Sequence, residues 1–369
     1  MKALVFQGAG KIEVASLPEP RSQPGELLVK PLYVGLCFTD KHSYDGSPGY
    51  LPGMVIGHEA SGEVAAIGDG VEGWKVGDRI ALSPQLYCGQ CVMCHSGWYI
   101  HCQRVQAWIG CYGSRPDGTP YHGMAAEYCA VPAYTCFKLP ERVSGVAAAN
   151  VEATACGTRA VRLSGMAVGD NVVVLGAEDY NLSVLQWARR AGASQVIVAD
   201  PIRIRREVAL KLGADTVLDP TSEHFVAEVR ERMPFGADSV FVSMEDYVAA
   251  SLRYLPQAFD IARVQGTVGI LRAYSERGFH GLNPVVQWTK EITIRHFGVC
   301  FGEEAWRGGR ERGDFQLSIE AIAGGMVDAE SHVTRIVPWD EVGTRRDLDA
   351  IYRSLPEGEV KILFRIWGS

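Results

Sequence analysis

Short apolar runs broken by turn residues dominate the first 150 positions of the chain. Residues 26–31 (ELLVKP), 60–67 (ASGEVAAI) and 78–82 (DRIAL) read as β-strands, because each is brief and flanked by glycine, proline or aspartate. The opening MKALVFQGAGKIEV alternates in the same way. An irregular, mostly β domain is expected here. The texture changes near Glu152. Asn171–Leu175 (NVVVL) and Gln195–Ala199 (QVIVA) are unbroken apolar runs, as strands buried on both faces require. Helical patterns cover 182–191 and 203–212, and further strands are expected at 216–218, 239–242, 267–271 and 292–294. Strands alternating with helices imply βαβ units and a parallel sheet, and six strands match a full dinucleotide-binding fold. A helix at 315–323 and a strand at 361–364 close the chain. The expected fold class is α/β.

Composition narrows the function classes. A chain of 369 residues suggests two domains. A net charge of −7 gives no basic footprint for nucleic acid. No apolar run reaches the length of a membrane span, and the start lacks the apolar region of a signal peptide, so a cytoplasmic protein is expected. The ten cysteines could indicate disulfides, but four fall in one short stretch, which reads as metal binding. Cys88, Cys91, Cys94 and Cys102 give C-x-x-C-x-x-C and a fourth cysteine after seven residues. Four thiolates close a tetrahedral Zn²⁺ with no open position, so this site would be structural; an iron–sulfur cluster is the alternative.

That spacing resembles the structural zinc lobe of the medium-chain zinc alcohol and polyol dehydrogenases. Other segments carry the same resemblance in the same order: Gly35-Leu36-Cys37-Phe38-Thr39-Asp40-Lys41-His42, then Gly57-His58-Glu59 with Gly62, Val76-Gly77-Asp78-Arg79, and Ala126-Glu127-Tyr128. The resemblance covers nearly the whole chain. It implies a GroES-like catalytic zinc domain over 1–152 and 298–369, with a Rossmann domain over 153–297 inserted. It further implies a catalytic zinc held by Cys37 and His58. A carboxylate would be the third ligand: Glu152, 24 residues before Gly176, with Glu59 able to exchange in. Cys156 competes, but stands too close to Gly176. Such a zinc acts as a Lewis acid on an alcohol oxygen while a nicotinamide cofactor carries the redox chemistry. Thr39 and His42 match the family's proton relay, and Asp40 matches the carboxylate that orients His58. Two zincs per chain and NAD, in preference to NADP, are the expected cofactors, with a small alcohol or its carbonyl product as substrate. Homodimers or homotetramers are usual in the family.

The dinucleotide motif departs from pattern. After NVVVL a Rossmann fold normally shows G-x-G-x-x-G, whereas this chain reads Gly176-Ala177-Glu178-Asp179-Tyr180-Asn181. The two acids would satisfy the helix dipole and repel a pyrophosphate. Asp200, 24 residues beyond Gly176, suits a ribose and disfavours a 2′-phosphate, while Arg203, Arg205 and Arg206 could accept one. The segment from Ser243 to Leu255 is longer than the usual turn. Gly176, Ala177, Asp200 and Arg205 are the expected cofactor contacts. The damaged motif keeps open a non-redox zinc enzyme, such as a lyase or hydrolase, and, less favoured, a non-catalytic binding protein. Tyr44, Tyr50, Trp108 and Tyr112 are candidate pocket aromatics.

Overall fold

A computed structural model describes residues 1–46, 50–105, 107–115, 118–243, 253–271, 284–298, 313–342, 348–352 and 358–367. The chain opens with the antiparallel hairpin β1 (Lys2–Gly8) and β2 (Lys11–Ser16). Then follow β3 (Glu26–Leu36), α1 (Phe38–Tyr44), β4 (Glu59–Ile67), β5 (Arg79–Leu82), α2 (Val92–His95), β6 (Cys129–Pro132) and β7 (Cys136–Lys138). Helices α3 (Gly145–Ala149) and α4 (Val151–Ser164) lead into β8 (Asn171–Leu175), α5 (Asp179–Arg190), β9 (Gln195–Ala199), α6 (Arg203–Lys211) and β10 (Thr216–Leu218). Next come α7 (Phe225–Arg232), β11 (Ala237–Val242), α8 (Leu255–Ile261), β12 (Ala262–Ile270), α9 (Pro284–Lys290) and β13 (Thr293–His296). Helix α10 (Asp314–Ala323), β14 (Val333–Pro338) and β15 (Lys361–Arg365) complete the described chain.

Strands β8–β13 form one sheet in the order β10-β9-β8-β11-β12-β13, with parallel pairing throughout. Counted from β8 this is 3-2-1-4-5-6, the doubly wound dinucleotide-binding order. Its switch point lies between β8 and β11. The cores of β8 and β9 are solid valine, isoleucine and leucine, and separate apolar clusters fill the two faces of the sheet. The other sheet runs β14-β15-β3-β4-β5-β7, with β6 also on β3, and encloses its own core. The fold is therefore α/β, a mostly β unit joined to a doubly wound parallel sheet, as the apolar patterning implied.

Three boundaries shift for identifiable reasons. β3 continues five residues beyond the expected end at Pro31; a register irregularity against β4 between Pro31 and Tyr33 absorbs the missing N–H. Helix α5 starts at Asp179 instead of residue 182, since an acid in the first turn complements the free N–H groups. β12 starts at Ala262, and a register shift against β11 accommodates Gln265 at φ 59°.

The return of the tail places the site. β15 pairs antiparallel with β3, Ile362 opposite Leu36, while β3 pairs with β4, Gly35 opposite Glu59. A Cβ at Gly35 would stand 2.7 Å from Glu59 Oε2 and 2.9 Å from Lys361 Cε, so only glycine leaves room for those two side chains. No described helix is long and apolar enough to cross a membrane.

Candidate active site

The thiols of Cys88, Cys91, Cys94 and Cys102 lie within 4.8 Å of one another. Individual Sγ separations are 3.5 Å (Cys91–Cys94), 3.9 Å (Cys88–Cys94) and 4.0 Å (Cys91–Cys102). A tetrahedron with Zn–S bonds of about 2.3 Å has S···S edges of about 3.8 Å, so the donors fit zinc. Backbone N–H groups of Cys88 and Val105 donate to Cys102 Sγ, which favours its thiolate, and that of Gln90 donates to Cys88 Sγ. No disulfide joins the described cysteines.

The second cluster sits where β3 ends and β4 begins. Cys37 caps α1: its Sγ accepts from Thr39 N–H, and its own N–H donates to Asp40 Oδ2 at 2.7 Å. His58 immediately precedes β4, and Glu59 is the first residue of that strand. Donor atoms of Cys37, His58 and Glu59 converge within 4.8 Å, all buried. His58 Nδ1 and Glu59 Oε1 have no hydrogen-bond partner among the described residues. An unsatisfied buried polar atom costs about 1–3 kcal/mol, so unpartnered atoms on two of the three converging residues suit a ligand in their midst. Sulfur, nitrogen and oxygen donors are a zinc set. Asp40 Oδ1 lies 4.0 Å from His58 Nδ1 and accepts from the Tyr50 hydroxyl. Burial raises the Asp40 carboxyl above its usual pKa, with the neighbouring His58 opposing.

Glu152, in the first turn of α4, stands beside this centre and outside the converging trio. Its Oε2 accepts from Tyr180 at 3.4 Å, and its Oε1 faces Cys156 Sγ at 3.7 Å. Burial, and then the charge of Glu59, push its pKa well above the carboxylate range. Cys111 is also near, its thiol pushed up strongly by burial and by Asp40. Thr39 Oγ1 is 3.4 Å from Cys37 Sγ. His42, one turn further along α1, tilts against Phe38. The four candidate aromatics are engaged in the barrel wall: Tyr50 on Asp40, Tyr44 stacked on Tyr352, Trp108 donating to Gln85 Oε1 at 2.6 Å, and Tyr112 against Trp108.

The dinucleotide turn is built differently. Gly176 has φ +102°, and a Cβ there would meet Ser243 O at 1.9 Å, so the retained glycine is demanded by sterics. Beyond it the turn is closed by its own side chains. Asn181 Nδ2 donates to the carbonyls of Leu175, Gly176 and Ser243. Glu178 and Asp179 are buried. Asp179 Oδ2 lies 2.7 Å from Lys361 Nζ, and the same ammonium donates to Glu59 Oε2. Asp200 accepts from Ala177 N–H at 2.8 Å and Ile202 N–H at 2.7 Å. Arg205, also buried, donates to the Glu359 carbonyl and faces Asp200 at 3.9 Å. The structure thus places Arg205 in a tertiary contact. Residues 244–252 of the longer segment lie outside the described residues. The donors of this turn do not fit a conventionally seated pyrophosphate, although Gly176 keeps the backbone course of one.

Two family models match the chain, "Alcohol dehydrogenase GroES-like domain" over residues 23–141 and "Zinc-binding dehydrogenase" over residues 182–313. L-threonine 3-dehydrogenase of Pyrococcus horikoshii is 32% identical over 310 residues, 83% of each chain. Sorbitol dehydrogenase of Bacillus subtilis is 28% identical, covering 96% of this chain and 94% of that one. The crystal structure of a zinc-binding dehydrogenase from Sinorhizobium meliloti bound to NADP superposes with a TM-score of 0.83 at 27% identity, covering 99% and 98%. The chain belongs to the zinc-containing medium-chain alcohol and polyol dehydrogenases.

As a member of that family it is an oxidoreductase that moves hydride between an alcohol, or its carbonyl form, and a nicotinamide cofactor. The lyase or hydrolase reading is not favoured. Lys361 is the site residue that sequence reasoning missed. A lysine within the apolar run Val360–Phe364 was the available signal, because a cation inside a buried strand needs anionic partners.

Proposed function

We propose that this medium-chain dehydrogenase oxidises a secondary alcohol with a neighbouring polar substituent, using NAD, and carries two zincs per chain. L-Threonine and sorbitol, named for two relatives, share that substituent pattern. The convergence of Cys37, His58 and Glu59 donors within 4.8 Å carries the reading. Cys37 and His58 would hold the catalytic zinc with a carboxylate, Glu59 and Glu152 both being at hand; Cys88, Cys91, Cys94 and Cys102 would hold the structural one. When bound, the catalytic zinc supplies Lewis acidity at the alcohol oxygen, and the nicotinamide accepts hydride.

The chain's own residues have assigned tasks in this reading. Asp40 fixes the Cys37 backbone through its N–H and orients the His58 ring. Lys361 offsets the charge of Glu59. Thr39, beside Cys37 Sγ, would take the substrate hydroxyl proton and His42 would pass it outward. Asp200 at the end of β9 supports NAD, since its carboxylate would repel a 2′-phosphate. The catalytic zinc domain is assigned to 1–152 and 298–369, and the dinucleotide domain to 153–297. We assign the protein to the cytoplasm. A homo-oligomer built on a second copy is supported by β13, an edge strand among the described residues, beside the exposed Trp288.

Metal analysis combined with alcohol-dependent NADH formation tests the proposal. About two zincs per chain, and turnover abolished by Cys37→Ser together with one zinc, are expected. Turnover that survives Cys37→Ser would refute the assignment.

A further inference from the structure

The disagreement at the dinucleotide turn has a definite structural form. Asp179 opens α5 at the carboxyl end of β8, next to the β8/β11 switch point. A doubly wound sheet receives a dinucleotide's phosphates there, on the free N–H groups of that helix. In this chain the Asp179 carboxylate points back to Lys361, a fully buried ammonium at the start of β15. Lys361 in turn holds Glu59, one of the three converging zinc-site residues. The bridge therefore runs from the parallel-sheet unit to the zinc centre. Two further side chains of the turn are engaged in part: Asn181 Nδ2 with three carbonyls, and Asp200 with two backbone N–H groups, while Asn181 Oδ1 and Ser243 Oγ have no hydrogen-bond partner among the described residues.

Building on the dehydrogenase reading, we propose that Asp179 is a tethered anion filling the phosphate seat of the cleft. A dinucleotide binds by replacing the Asp179 carboxylate with a phosphate on Lys361. The exchange is one anion for another on a buried cation that Glu59 also holds, so the charge balance of the cluster is kept. The tether makes the carboxylate an intramolecular competitor, present at high effective concentration. Dinucleotide affinity is lowered as a result, and release is fast. Because Lys361 also holds Glu59, occupancy of the phosphate seat is coupled to the carboxylate beside the zinc.

The test uses the full-length, zinc-loaded chain and needs no turnover. NADH and ADP, the latter a diphosphate without nicotinamide, are titrated into wild type, Asp179→Asn and Asp179→Glu by calorimetry and, for NADH, fluorescence. Asp179→Asn removes the competing charge and leaves Lys361 its Glu59 partner; both ligands should bind at least tenfold tighter. Asp179→Glu keeps the charge and should give no tightening. If the Asn variant melts far below wild type, Asp179→Ser, which keeps a hydroxyl acceptor in the first turn, serves instead. Unchanged or weaker binding of NADH and ADP by a folded neutral variant overturns the proposal. Should wild type still bind NADH and oxidise alcohols, the dehydrogenase reading survives that result. Should neither wild type nor variant bind either ligand with both zincs present, both fall.

Discussion

The zinc centres and the dinucleotide turn are two polar sites of one molecule, and they differ in what their charged and donor groups face. At the Cys37–His58–Glu59 centre, buried donors converge and His58 Nδ1 and Glu59 Oε1 are left without partners. In the thiol lobe the four sulfurs lie within 4.8 Å of one another, with separations of 3.5–4.0 Å for three pairs, close to the edge length of a zinc tetrahedron. At the turn after β8, Asn181, Asp179 and Asp200 spend their side chains on carbonyls, on Lys361 and on backbone N–H groups. Converging donors with unpartnered atoms are organised for a ligand; at the turn the Asp179–Lys361 pair makes an anionic ligand compete, although Asn181 Oδ1 and Ser243 Oγ are unpartnered there too.

The largest expected effect breaks the open side of the comparison. Cys37→Ser should lower kcat/KM for any alcohol substrate by about a thousandfold or more, roughly 4 kcal/mol of lost transition-state stabilisation. Zinc should fall from two to one per chain while the melting temperature moves little. Next, Cys94→Ser opens the thiol lobe. Structural zinc contributes directly to folding, so the melting temperature should drop by ~10 °C or more, as read by calorimetry, with normal turnover per folded molecule. On the closed side, Asn181→Ala removes the donor shared by three carbonyls. A stability loss of about 1–3 kcal/mol is expected in denaturant unfolding, with no loss of zinc.

The smallest effect concerns His332, packed on Gln186 of α5 at 3.0 Å and near Asp179, Asp328 and Lys361. Burial lowers its pKa to about 4, from the ordinary 6.5. The neutral ring is the folded form, so its contribution is intact above about pH 6.5 and declines as pH falls towards 4. Between pH 7.5 and 5.5 this amounts to about 1.4 kcal/mol. His332→Asn should flatten the pH dependence of unfolding over that window by this difference; an identical slope in both proteins would remove His332 from the account.

Much of this was legible along the chain because it is local. The runs NVVVL and QVIVA became β8 and β9 with the expected bounds, since strands buried on both faces need unbroken apolar sequence. The four-cysteine spacing places its ligands within fifteen positions, Cys88 to Cys102, and short spacing survives into geometry. What the sequence concealed depends on register between distant strands. Lys361 reaches Glu59 because β15 lies on β3 and β3 on β4, a juxtaposition of residues 302 positions apart. The two acids of the degraded glycine motif were readable as hostile to phosphate, but their partner was not. Glu152 and Glu59 were both nominated as carboxylate ligands from sequence; the fold brings Glu59 into the donor trio and sets Glu152 beside it, against Tyr180 and Cys156.

The most direct test of the central claim is titration of the purified, zinc-loaded chain with NADH, with NADPH as control, after metal analysis of the same sample. About two zincs per chain and saturable binding that favours NADH are expected. Two zincs per chain with no binding of either nucleotide at millimolar concentration would contradict the claim.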